Sequence, residues 1–156
     1  MAPIRAVTIV APDTLGARPK NVEAQWTKAA EQSAARYNSM LGVRVFVSAY
    51  YGSQSVGNLV LINAVDIPIP ADALDIVLNK TGKQPETTTV KPLEPVDPGP
   101  LGGEARCGEF SVKGTQTTVC GWSDQGSMGF VTWYGIGLRQ AADEFVATRA
   151  AIERIA

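Results

Sequence analysis

A chain of 156 residues, 45% apolar and 19% charged, is long enough to bury roughly two-thirds of its unfolded surface in one core and does not depend on disulfides to fold. Its 14 Lys and Arg against 15 Asp and Glu leave a net charge of −1 with no basic stretch, which excludes a nucleic-acid footprint, and its lack of histidine excludes Ser-His-Asp and Cys-His catalysis and the commonest metal ligand. No apolar run approaches the roughly 18 residues of a membrane span, and the start Met1-Ala2-Pro3-Ile4-Arg5 lacks the regions of a signal peptide, so an anchor or signal segment is expected to have preceded a non-native Met1.

In chain order, Val7-Thr8-Ile9-Val10 ends at Ala11-Pro12-Asp13 and predicts an edge strand or extended lead-in. After a turn-rich stretch, Asn21 can cap a helix in which Trp26, Ala30, Ser33, Tyr37 and Leu41 recur at helical spacing, until Gly42 stops it. Residues 43–51 and 58–65, separated by a Gly- and Ser-rich turn, predict a hairpin. Pro70 then opens a shorter helix through Ala73, Leu74, Val77 and Leu78, ending near Gly82. Pro85, Pro92, Pro95, Pro98 and Pro100 forbid a helix over 83–103 and confine any strand there to an edge. Neither flank carries enough apolar periodicity for a core of its own, so this segment predicts a long crossing inside one domain, 1–156, rather than a linker.

Cys107 and Cys120, the only cysteines, lie symmetrically about Lys113-Gly114. A two-residue loop there makes Val112 and Thr115 a hydrogen-bonded pair, and the alternation of an antiparallel ladder then makes the cysteines a non-hydrogen-bonded pair whose Cα atoms lie close enough to bridge. A disulfide points to an oxidising, extracytoplasmic compartment and would contribute about 3 kcal/mol by chain entropy, less where the hairpin already holds the strands. Two independent buried thiols are the alternative. The second cysteine strand runs to Trp122, turns through 123–127 and returns as 128–134. Leu138, Ala141, Phe145, Val146, Arg149 and Ile152 mark a final amphipathic helix.

Both halves therefore read as hairpin then helix, the order of a weak internal duplication. The fold class expected is α+β: a mainly antiparallel sheet built from hairpins with about three helices packed on it.

The chemistry is sparse. Two cysteines without histidine cannot complete a zinc site, and no phosphate-binding glycine loop is present, so no metal and no cofactor is expected. Carboxylates are the one catalytic resource, at Asp72, Asp75, Glu94, Asp97 and Glu104; they read as solvated surface charges, and no enzyme is expected. Gly121 to Gly129 surrounds Trp122 with small polar residues. Trp122, Ser123, Asp124 and Gln125, with Tyr50 and Tyr51, form the candidate recognition surface; the alternative is a tight turn with Asp124 capping its own backbone and the aromatics buried.

The run Gly99-Pro100-Leu101-Gly102-Gly103-Glu104-Ala105-Arg106-Cys107-Gly108, followed by Thr118-Val119-Cys120-Gly121-Trp122-Ser123-Asp124 and an Ala-rich last helix, resembles a group of actinobacterial exported or membrane-anchored proteins of unknown function. The likeness covers 99–134, and more loosely 43–65. It implies a domain displayed outside the cytoplasmic membrane behind an N-terminal membrane segment, and no activity. The leading expectation is thus a non-catalytic cell-envelope interaction module whose partner is an envelope protein or envelope component. The runner-up is a small-molecule or lipid-binding domain with its ligand between sheet and helices near Trp26, Tyr50, Trp122 and Trp133, distinguished by an aromatic-lined pocket of several hundred Å3.

Overall fold

The computed structural model describes residues 7–41, 46–68 and 70–155. Its elements are β1 (Val7–Ile9), β2 (Thr14–Leu15), β3 (Arg18–Pro19), α1 (Ala24–Leu41), β4 (Val47–Tyr51), β5 (Val60–Val65), α2 (Ala71–Gly82), β6 (Thr87–Pro95), β7 (Glu104–Val112), β8 (Thr115–Ser123), β9 (Met128–Tyr134), α3 (Leu138–Ile152) and β10 (Glu153–Ile155). The fold is α+β. Six strands form one antiparallel sheet in the order β4-β5-β9-β8-β7-β6, and β1 pairs with β10 in a separate two-stranded sheet.

The cysteine hairpin has the register expected from its sequence. Val112 pairs with Thr115 and Cys107 with Cys120, across a turn in which Lys113 and Gly114 both take positive φ, 51° and 81°. That is the primed two-residue turn whose twist matches the strands it joins, and glycine makes its second position inexpensive. The disulfide Cys107–Cys120 is formed, with Cα atoms 4.1 Å apart.

Part of the proline-rich segment becomes β6, an edge strand, as Pro92 and Pro95 within it require. Its ladder with β7 slips between Thr89 and Lys91 and again between Lys91 and Glu94, which blunts an edge that could otherwise pair with another chain. Helix α1 starts three residues after Asn21, whose Oδ1 accepts the Glu23 N–H while its amide donates to Gly52 O. The expected stop at Gly42 and the strand residues 43–45 lie outside the described residues.

Alternation along the strands sorts their side chains to two faces. Tyr51, Ile62, Trp133, Cys120, Trp122 and Cys107 point to the face covered by α3, where Leu138, Ala141, Phe145 and Ile152 complete the core. Val65, Phe130, Val119 and Phe110 point to the other, where Leu74, Val77 and Leu78 of α2 and Tyr37 of α1 meet them. Helix α1 lies over β4 and β5 and α2 over β6 to β8. The two hairpin-then-helix units thus send α2 and α3 to opposite faces. A two-fold axis relating antiparallel neighbours β5 and β9 would stand perpendicular to the sheet and carry both helices to one face, so the repeated order is not a symmetric duplication.

No residue at the start of α3 caps it locally: the N-cap is Gly137. Glu109, 29 positions earlier on β7 and 5% exposed, supplies the acceptor, its Oε1 taking the Leu138 N–H at 2.9 Å. A carboxylate at a helix N-terminus satisfies an orphan donor and opposes the macrodipole. Among the described residues, no helix is long and apolar enough to cross a membrane.

Candidate functional site

The loop singled out by sequence closes a buried polar cluster. Trp122 has no exposed surface, its ring tilted against Phe145 at 6.3 Å, and the Arg149 guanidinium lies over it at 5.5 Å. The indole fits because Gly129 on the paired strand has no Cβ; one built there would stand 2.2 Å from Cη2 of the ring. Trp122 Nε1 donates to Ser127 Oγ at 2.8 Å, and Ser127 Oγ lies 2.9 Å from Glu153 Oε1. Asp124 Oδ1 accepts the N–H groups of Gly126 and Ser127, both at 2.7 Å, while Oδ2 takes Arg149 Nη2 at 2.6 Å. Arg149 Nη1 donates to the carbonyls of Pro98 and Gly102.

Segments 99–108 and 118–124 therefore converge on one residue of α3. Gly102 and Asp124 bond Arg149, and Trp122 lies beneath it. Ser123 is buried and Gln125 is exposed.

Asp124 and Glu153 share this one cation with side chains 2% and 0% exposed. Burial works to raise Asp124, but hydrogen bonds from Glu153, Gly126 and Arg149 and the guanidinium charge hold it below the ordinary carboxylate range. Burial pushes Glu153 up to about 7, helped by its hydrogen bond to Asp124 and that group's charge, with Arg149 pulling it back. The pair has the displaced acidities of an acid–base site, but its carboxylates are sealed from solvent.

The other predicted residues lie elsewhere. Tyr51, fully buried under the α3 face, donates its hydroxyl to Pro12 O at 2.7 Å. Tyr50 is on the opposite face, half-buried, tilted against Trp26 at 5.0 Å and hydrogen-bonded to Tyr134. The candidate surface thus divides into the Trp122–Gln125 turn, a core tyrosine and a tyrosine at the β4 edge. Trp133 is also in the α3-face core; its Nε1 has no hydrogen-bond partner among the described residues.

The opening between sheet and helices lies on the α1–α2 face, where the helices stand apart over β9 and β8. It encloses about 490 Å3. Leu61, Val77, Val112 and Val119 supply apolar walls, Tyr37 and Tyr134 aromatic ones, and Ser33, Thr117 and Thr132 hydroxyls. Arg36 of α1, Lys80 of α2 and Lys113 of the cysteine hairpin line it too, with Glu86 the one acidic group. Tyr37 stacks on Phe46 and on Phe130, both at 5.2 Å, closing one end of the cleft as a ring layer between α1 and the sheet.

Ser33 also anchors α1, donating to Asn63 Oδ1 at 3.0 Å; Ser48 bonds the same oxygen. Burial raises the phenols of Tyr37, Tyr50 and Tyr134, which remain neutral donors, and the charge of Arg36 draws all three back. Glu86 and Lys113 are the two described non-glycine residues with positive φ, and they meet on the rim, where Lys113 N–H donates to Glu86 O at 2.9 Å.

A second concavity, of about 430 Å3 beside the start of α3, is lined by Lys91, Gln116, Arg139, Gln140 and Asp143, with no aromatic wall. The described residues contain no group of three or more His, Cys, Asp or Glu placed to hold a metal. Sequence reasoning missed Arg149, Glu153, Arg36 and Tyr134 as site residues. The signal available for the first two was a charged residue on the buried stripe of an amphipathic helix and an acid four positions on.

No protein-family model, curated protein or solved structure matches this chain.

Proposed function

We propose that this domain works outside the cytoplasmic membrane as a non-catalytic binding module that holds a small apolar or amphipathic molecule in the cleft between α1 and α2. The observation that carries the reading is the lining: this cleft has the size and the aromatic and apolar walls of a ligand site, whereas the concavities against α3, of about 430 and 560 Å3, have no aromatic wall. The disulfide supports the compartment, as does the likeness to actinobacterial exported proteins. An interaction module built on the predicted surface would lack its anchors, because Trp122 and Tyr51 are core residues.

The test is titration with N-phenyl-1-naphthylamine, a neutral apolar fluorophore. Wild type should give a saturable rise in fluorescence, and Thr132→Trp, which fills the cleft from β9, should abolish it at unchanged melting temperature. No saturable rise, or an equal rise in the folded variant, rejects the cleft as a ligand site.

A further inference from the structure

The cleft carries more positive charge than the molecule around it. The chain has a formal net charge of −1, yet Arg36, Lys80 and Lys113 face the cleft against Glu86 alone. All three cations are exposed, and none makes an ion pair among the described residues, so their charge is open to a solute. They come from three elements, so their convergence is a property of the fold and not of a basic run in sequence.

Beside them stand neutral hydroxyl donors. The Tyr37 and Tyr134 phenols share a wall with Arg36, and Tyr50 adjoins Tyr134. A guanidinium next to phenolic O–H groups is a donor set with strong acceptors as its natural complement. The floor of Leu61, Val77 and Val119, all nearly buried, offers nothing to a polar group and suits an apolar body.

Resting on the binding-module reading, we propose that the occupant is an organic anion: a carboxylate, sulfonate or phosphate ester whose head is held by Arg36 and the tyrosine hydroxyls and whose apolar body lies over Leu61, Val77 and Val119. Lys80 and Lys113 raise the local potential and draw such a molecule in, an effect that salt screens. A neutral molecule of the same shape gains only the apolar contacts.

Two fluorophores with one aromatic body separate these claims: 8-anilinonaphthalene-1-sulfonate carries the anionic head, and N-phenyl-1-naphthylamine lacks it. Arg36→Gln should weaken the sulfonate about three- to tenfold and leave the neutral probe unchanged. Raising salt from about 0.05 to 0.5 M should do the same, and Lys80→Gln should give a smaller loss in the same direction. Thr132→Trp should abolish both. If both probes bind wild type and respond alike to Arg36→Gln and to salt, the anion assignment is overturned and the binding module stands. If the sulfonate binds Thr132→Trp as well as wild type, it sits outside the cleft and the assignment is overturned. If neither probe binds wild type, the binding-module reading fails and takes this inference with it.

Discussion

The two faces of the sheet share six strands and treat their polar groups in opposite ways. Under α3, Arg149, Asp124, Glu153, Ser127 and Trp122 bond one another in a sealed cluster, in which Arg149 Nε has no partner among the described residues. Under α1 and α2, Arg36, Lys80 and Lys113 face a cavity without an ion-pair partner among the described residues. Buried charges must be paired because desolvation is costly, whereas charges at a wet cleft can remain open to a solute. Rich chemistry in one place therefore serves the fold, and a plainer set of side chains on the other face is the one a ligand can reach.

The largest test of that contrast is Arg149→Met. Removing the cation strands Asp124 and Glu153 together, with an expected loss of about 3–5 kcal/mol in urea unfolding. Arg36→Met should cost less than about 0.5 kcal/mol. Similar losses at both sites would dissolve the distinction between the faces.

Acidity gives the next effect. Glu153 titrates near 7 in the folded protein and near 4.5 when unfolded, so the folded state binds more protons between those values. Stability from this group is full below about pH 4.5 and falls as pH rises through 7, by on the order of 3 kcal/mol. Asp124 runs the other way: its acidity is depressed, so its contribution is present above the ordinary carboxylate range and lost as pH falls below it. Melting temperature should therefore peak in weak acid, and Glu153→Gln should flatten the decline toward neutral pH. A wild-type curve flat from 4.5 to 7 would contradict the shared-cation arrangement.

Glu109→Ala removes the remote cap of α3 and should cost about 1–2 kcal/mol in the same unfolding measurement, with Glu109→Gln recovering part of it. The smallest effect sharpens the other face. Glu86→Gly relieves a left-handed backbone on the cleft rim, and a gain of about 0.5 kcal/mol remains after glycine's own entropy cost. A loss would mean that the Glu86 side chain holds the rim in place.

Local signals in the sequence were enough for the three helices, the hairpin strands and one long-range fact, but not for the short strands β2, β3 and β10. The symmetry of Cys107 and Cys120 about Lys113-Gly114 fixes a register because hairpin parity is rigid, and the prolines of 83–103 dictate an edge strand because proline cannot donate to a ladder. The site was not legible in that way. Arg149 occupies an apolar stripe position of α3, and nothing nearby in sequence tells that its partners include Asp124 and the Gly102 carbonyl, 25 and 47 positions away. Trp122 and Tyr51 have the residue types of interface anchors, but alternation and strand order decide which face they occupy, and strand order is tertiary information. The cleft is still less visible, since Arg36, Lys80, Lys113 and Tyr134 share no spacing, only an opening left where two helices stand apart.

The pairing of β1 with β10 matters for how the domain bears load. Val7 lies opposite Ile155, and Ile9 opposite Glu153, so a pull applied between the two outer positions meets the ladder at its open end. Rungs then break singly, as in a zipper, and force never loads several hydrogen bonds at once. Inward of the Ile9–Glu153 rung the Val10 N–H still bonds Ile152 O, and Arg149 ties Glu153 to α3.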